Sequence, residues 1–253
     1  MKIDLSGKVA IVTGASGELG RVISRTLAVC GADLAIHYHQ KQDRAETLRD
    51  EVKKLGRRAC MIQADITRLD AVQALRAKVE SELAAPDIVV NNAVIQYAWK
   101  TVLEQGVEDY ESQFRSCVLQ NVLMAKVFVP AMIRRRYGRI IAINTECAMQ
   151  NQPTQSAYVS GKRGMDGVLR VLAREIGPHG ITVNQVAPGW MISERCRKTG
   201  TERQESYEKS VPLGHRGEDQ DIANAVAFLA SDLAKFITGV YLPVCGGGVM
   251  PAI

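Results

Sequence analysis

Lys8 to Gly20, KVAIVTGASGELG, decides the fold of this 253-residue chain. Lys8 to Thr13 is an apolar run of strand length, and Leu19 to Val29 repeats its apolar residues at helical spacing. Between them the chain passes through Gly14, Ala15, Ser16 and Gly17, where glycine permits a sharp turn and a close approach to a ligand. A strand that turns through glycine into a helix presents free N–H groups and the positive end of the helix dipole to an anion. The stretch therefore predicts the first half of a dinucleotide-binding unit, with Gly14, Ser16, Gly17 and Leu19 around a pyrophosphate. An ordinary strand-to-helix turn also uses glycine, and the position directly after the first strand favours the phosphate reading.

The same alternation of apolar runs and helical stretches continues to Val244 with no linker, charge block or internal repeat. It predicts one α/β domain over residues 1–253, a Rossmann fold with a doubly wound parallel sheet of about seven strands and helices on both faces. With 46% hydrophobic and 23% charged residues, the chain can bury one large core. The net charge of +5 is scattered, with only Arg134, Arg135, Arg136 and Arg139 clustered, which argues against nucleic acid as a partner. Cys30, Cys60, Cys117, Cys147, Cys196 and Cys245 form no CxxC pair, so neither a disulfide framework nor a metal site is expected. The first strand leaves no room for a signal peptide, and Lys126 and Pro130 interrupt the most apolar helical stretch. The expectation is a soluble cytoplasmic protein with no membrane partner.

In an open parallel sheet, ligands bind beyond the carboxyl ends of the strands. The second predicted strand, Asp33 to Tyr38, ends without the carboxylate that would grip an NAD ribose 2′-hydroxyl. Tyr38, His39, Gln40 and Lys41 stand there instead, a neutral to basic segment compatible with a 2′-phosphate, so NADP(H) is preferred over NAD(H). Asp65 and Ile66 follow the third strand, and Asn91, Asn92 and Ala93 follow the fourth, all within reach of a cofactor. Asp65 starting a helix and Asn92 serving a turn account for those residues equally well.

Ser156 to Lys162 (SAYVSGK) opens a helix that continues to Ile176, which places Tyr158 and Lys162 one turn apart on one face. A free tyrosine, with a pKa of about 10, is a poor acid or base at neutral pH; a neighbouring ammonium makes it a usable proton carrier. The fifth strand, Arg139 to Ile143, ends at Asn144 and Thr145, which brings the Thr145 hydroxyl to the same edge. A surface tyrosine-lysine pair is the bland alternative, and the flanking cofactor signals weigh against it.

Together these residues resemble the short-chain dehydrogenase/reductase family, whose marks are a TGxxxGxG turn, an NNAG turn, a Ser-Tyr-Lys set with YxxxK spacing and a PG turn. Thr13-Gly14, Gly20, Asp65, Asn91-Asn92-Ala93, Tyr158, Lys162 and Pro188-Gly189 match in order across nearly the whole chain. Asp221 to Asp232 and Ile237 to Gly239 look most like the β-ketoacyl-acyl-carrier-protein reductase branch. The resemblance implies hydride transfer between nicotinamide and a carbonyl or alcohol substrate, with Tyr158 protonating the oxygen. It implies that Lys162 holds the nicotinamide ribose and that Pro188, Gly189, Met191 and Ser193 hold the carboxamide end. It also implies a homotetramer built on the helices around Tyr110 to Arg136 and Tyr158 to Gly177.

Four departures accompany the match. Thr145 stands for the family's serine and adds a methyl group that stiffens the side chain. Cys117 falls where the family has an active-site asparagine, with Asn121 one helical turn later. Glu18 and Val94 stand where the family has glycine, and Glu18 beside a pyrophosphate is repelled unless its side chain turns away. A cofactor-binding protein with little catalysis is accordingly the alternative from another functional class. The C-terminal likeness suggests an acyl-carrier-protein thioester, with Arg134 to Arg136 meeting an acidic carrier; Arg136 fits one of that branch's two basic docking positions and His179 occupies the other. Gln150, Asn151, Gln152 and Gln155 suit a sugar or polyol as well. Residues 193–211, polar and poorly periodic, are expected to cover the substrate, and Trp99 and Trp190 to wall its pocket.

Overall fold

The computed structural model describes residues 2–251. Each apolar run of the sequence forms a strand: β1 (Val9–Val12), β2 (Asp33–Tyr38), β3 (Ala59–Gln63), β4 (Ile88–Asn91), β5 (Gly138–Ile143), β6 (Ile181–Pro188) and β7 (Tyr241–Val244). They make one sheet in the order β3-β2-β1-β4-β5-β6-β7. Every pairing is parallel, with Val12 opposite both Ile36 and Val90. The strand order reverses between β1 and β4, and the crevice at such a switch point is where this architecture binds ligands.

Helices cover both faces, as the alternation predicts. Helices α1 (Glu18–Val29), α2 (Gln42–Lys54) and α10 (Asp219–Ala230) bury Ile23, Leu27, Leu48 and Val226 against one face. On the other, α3 (Leu69–Glu82), α5 (Gln120–Arg135) and α7 (Ser156–Ile176) bury Leu75, Met132 and Leu169. Two-residue periodicity fixes which side chains of β2 go where: Leu34, Ile36 and Tyr38 all enter the first core, while Ala35 enters the second. Each fully buried leucine or isoleucine contributes about 1.5–3 kcal/mol.

Helix α4 (Val107–Gln113) continues into α5 through a π-turn, Phe114–Leu119, which the sequence analysis does not anticipate. The Asn121 side chain donates to the Cys117 carbonyl at 2.6 Å and accepts from Asn91 Nδ2 at 2.7 Å. A side chain that bonds back to the carbonyl four residues earlier competes with the helical ladder at that point. Helix α5 runs through Pro130 without ending. By length and composition Val107–Arg135 could cross a membrane; 67% of its most apolar window is buried inside the protein, as in a core helix.

Candidate active site

Three elements bring the proton-transfer residues together at the carboxyl edge of β4, β5 and β6. The Lys162 side chain is only 3% exposed, and its Nζ donates to the Ile143 carbonyl at 2.6 Å. It lies 5.7 Å from the Tyr158 ring centroid. This is a buried arrangement, not a surface pair. The Tyr158 backbone N–H donates to Tyr97 Oη at 2.6 Å, and its ring stacks on Trp99 at 6.2 Å. Gly161 lets α7 come this close: a Cβ there would stand 3.0 Å from the Gln113 carbonyl oxygen.

Thr145 is buried, with its N–H donating to Asn144 Oδ1 at 2.9 Å and its carbonyl accepting from Tyr241 Oη. Its Oγ1 accepts from the Cys147 N–H at 3.2 Å. Burial, the dominant cause, pushes the Tyr158 phenol well above its ordinary pKa, while the nearby Thr145 hydroxyl pulls the other way. Burial pushes Lys162 down. Desolvation thus favours the neutral phenol. A neutral phenol is the form that gives a proton to a developing alkoxide. Cys117 is buried in the π-turn with its Sγ 3.7 Å from Gln113 Oε1.

The glycine turn is held from three sides. Thr13 Oγ1 accepts from the N–H groups of Asn92 (2.9 Å) and Ala93 (3.0 Å), and Asn92 Nδ2 donates to the carbonyls of Thr13 (2.9 Å) and Gly14 (3.3 Å). Gly14 has φ +63, and a Cβ on it would sit 3.1 Å from Ala93 Cα. Gly17 is the N-cap of α1. Ser16 is buried, and Leu19 packs against the first core. This glycine cradle, at the N-terminus of α1 and the switch point of the sheet, fits a dinucleotide pyrophosphate. These bonds hold the Asn92 side chain in the turn. Asp65 is exposed and accepts from the Thr67 N–H and hydroxyl through Oδ1. Ile66 is buried. Tyr38 turns its ring into the first core, so of the pair expected at the cofactor ribose only His39, exposed with Gln40 and Lys41, presents a side chain at the edge.

His37 went unnoticed in the sequence. It is fully buried, with Nδ1 accepting from the Gly14 N–H at 3.0 Å and Nε2 donating to the Ala64 carbonyl at 3.0 Å. It therefore ties the glycine turn to the end of β3 in one fixed tautomer. Burial lowers its pKa from 6.5 to about 4. An unfolded chain binds a proton on this histidine below pH 6.5 that the folded chain refuses until about pH 4. Its contribution to stability is therefore complete above that window and falls by about 3 kcal/mol as pH drops through it. Urea titrations at pH 7 and pH 4.5 should show the loss, and His37→Gln should flatten it.

Glu18 faces away from the cradle. Its Oε2 accepts from the Arg195 N–H at 3.2 Å, and Arg21 pairs with Glu194. Both tie α1 to residues 193–211, which form α8 (Glu194–Thr199) and α9 (Glu205–Ser210). Ser193 is the N-cap of α8, and Val94 packs against the second core. A second residue without a sequence signal, Arg216, organises this segment. Its buried guanidinium donates to the carbonyls of Trp190 (2.9 Å), Met191 (2.7 Å), Thr201 (2.9 Å) and Glu202 (3.0 Å). Pro188 ends β6, and the Gly189 N–H donates to the Val244 carbonyl at 3.0 Å. Trp99 and Trp190 are 46% and 50% exposed, so neither is a core side chain. Arg134, Arg135 and Arg136 end α5 where β5 begins, at the sheet edge opposite Thr145.

A sequence profile of the family described as Enoyl-(Acyl carrier protein) reductase matches residues 14–248. The 3-oxoacyl-acyl-carrier-protein reductase FabG of Staphylococcus aureus is 38% identical, covering 96% of this chain and 98% of its own. The chain belongs to the short-chain dehydrogenase/reductase family. Nodulation protein G of Rhizobium sp. is 35% identical, covering 98% of this chain and 99% of its own. Among solved structures, a short-chain type dehydrogenase/reductase from Mycobacterium marinum superposes with a TM-score of 0.87 at 29% identity, covering 98% of both chains. A presumptive gluconate dehydrogenase from Agrobacterium tumefaciens gives 0.90 at 26% identity, again over 98% of both. This short-chain dehydrogenase/reductase is an NAD(P)-dependent oxidoreductase, and the seven-stranded doubly wound sheet is the fold its sequence implies.

Proposed function

We propose that this enzyme is an NADP(H)-dependent carbonyl reductase acting on 3-oxoacyl thioesters in the cytoplasm. The observation that carries the reading is Tyr158, one turn from the buried Lys162 whose Nζ lies 5.7 Å from its ring centroid, at the same sheet edge as Thr145 and beside the glycine cradle. A bound nicotinamide supplies the hydride. Tyr158 gives its proton to the substrate oxygen, Thr145 orients that oxygen, and Lys162 holds the ribose side. Gly14, Ser16, Gly17, Leu19, Asp65, Ile66, Asn92 and Ala93 line the cofactor, with His39 at the 2′-phosphate. Pro188, Gly189, Met191 and Ser193 take the nicotinamide end, and residues 193–211 cover the substrate. The absence of a carboxylate after β2 and the exposed His39 and Lys41 support NADP(H). Calorimetry should show NADPH binding at least tenfold tighter than NADH, about 1.4 kcal/mol; the reverse order overturns the choice.

The thioester comes from the FabG relatives and does not depend on Arg134 to Arg136. One observation favours a sugar or polyol instead: Gln155 Oε1 is buried near Thr145 with no donor among the described residues, and a substrate hydroxyl would supply one. Initial rates with NADPH and 3-oxoacyl thioesters, against NADP+ and sugars, decide between them. A homotetramer is part of the same proposal. It is supported by a shallow apolar groove between α5 and α7, lined by Val122, Val129, Val171 and Leu172. Light scattering tests it, a monomer being the contrary result.

A further inference from the structure

We propose that Glu146 and Tyr207 form a positioning pair that pins the covering segment to the catalytic loop and so sets substrate affinity. Glu146 directly follows Thr145 and is 3% exposed. Burying a carboxyl group is costly unless its oxygens find donors, so its presence calls for a partner. Oε1 has one: Tyr207 Oη, on α9, donates to it at 2.8 Å. Tyr207 Oη in turn accepts from the Trp190 N–H at 2.8 Å. The relay therefore runs from the catalytic loop through the covering segment to the turn after β6.

Its surroundings are built around that hydroxyl. A Cβ on Gly189 would lie 2.5 Å from Tyr207 Oη and 3.0 Å from Cys245 Cα, so the turn accepts no side chain there. The Trp190 ring stands edge-on to Tyr207 at 5.6 Å, with the Arg216 guanidinium 4.9 Å from its centre. Glu146 Oε2 is buried with no partner among the described residues and faces the C-terminal turn, where a Cβ on Gly248 would come within 2.9 Å. Four segments meet at one carboxyl group: the catalytic loop, the turn after β6, α9 and residues 246–248. Among the described residues neither side chain hydrogen-bonds Tyr158, Lys162 or the Thr145 hydroxyl, so the effect of the pair passes through the placing of α9 and Trp190. Burial raises the Glu146 carboxyl above the usual carboxylate range, as a hydrogen-bonded group at the centre of such a junction requires.

The proposal rests on the assignment of the Tyr158 cleft as the site of turnover, and the experiment separates the two. With the full-length enzyme, NADPH and the fastest substrate of the thioester and sugar panel, Tyr207→Phe and Glu146→Ala should raise KM about tenfold and leave kcat within about threefold. Glu146→Gln, which keeps an acceptor for Tyr207, should restore most of the affinity, and NADPH affinity by calorimetry should not change. An unchanged KM in Tyr207→Phe overturns the pair, as does a joint fall of kcat and NADPH affinity or a failure of glutamine to rescue. If no substrate is turned over, the functional assignment fails and trypsin still tests the pair. Arg195, Arg197, Lys198 and Arg203 are exposed, and cleavage there should be several-fold faster in Tyr207→Phe than in the wild type; equal rates overturn the proposal.

Discussion

Tyr158→Phe should lower turnover by roughly 10²–10⁴ while NADPH still binds. The substitution removes one oxygen and keeps the ring that stacks on Trp99 and the backbone N–H that donates to Tyr97. The fold has little to lose. What disappears is the proton that the substrate oxygen takes, and neither neighbour replaces it: Lys162 directs its ammonium to the Ile143 carbonyl and, in its proposed role, to the ribose, and a threonine hydroxyl is too weak an acid at neutral pH. The loss belongs in kcat, with melting temperature and NADPH affinity close to wild type. A protein that merely holds cofactor, the alternative raised by Thr145, Cys117, Glu18 and Val94, would show no rate to lose.

Gly20→Ala should be the most damaging single methyl group in the chain. A Cβ there would come within 2.9 Å of both Ala15 Cα and Asn92 Nδ2, and closer still to the Gly14 carbonyl oxygen. Backbone supplies two of those three obstacles, so rotation of a side chain cannot relieve the clash. Either α1 shifts or the turn opens, at a cost of about 1–3 kcal/mol or more in stability. Because the same turn is the phosphate cradle, NADPH affinity should fall at least tenfold beyond any loss of fold, about 1.4 kcal/mol. Gly177→Ala is the control: it caps α7 at φ −52 with nothing within 4 Å of the new methyl, and a glycine replaced by alanine at a compatible φ gains up to about 1 kcal/mol. Thermal melts and calorimetry on the two variants separate a general intolerance of alanine from a specific need for glycine at the turn.

The sheet is legible in the sequence because its strands are short apolar runs that need no distant partner to be recognised. Thr13-Gly14, Asn91-Asn92 and Pro188-Gly189 mark three strand ends by local chemistry, and YxxxK marks a helix face by spacing alone. Residues whose role depends on remote contacts leave no such mark. His37 reads as a strand residue of no special kind until Gly14 and Ala64, 23 and 27 positions away, close on its two nitrogens. Arg216 looks like one more surface cation, yet the carbonyls it gathers come from residues 190–202. Glu18 looks like a defect in the cradle because its partner, the Arg195 N–H, is 177 positions distant. Tyr38 is different, since the pleat of β2 already pairs it with Leu34 and Ile36 on the buried face. The π-turn stays hidden because nothing in the composition of Phe114–Leu119 separates it from an ordinary helix, and the bond beside it, from Asn121 back to the Cys117 carbonyl, exists only in the fold.

The chain has two tryptophans, and they stand at Tyr158 and on the turn beneath the covering segment. All indole emission of this protein therefore originates within the cleft. Reduced nicotinamide absorbs where indole emits, so NADPH bound at the proposed site would be an energy acceptor for both. The enzyme carries its own optical gauge: quenching of the Trp99→Phe variant follows events at the covering segment, and quenching of the Trp190→Phe variant follows events at the reacting tyrosine.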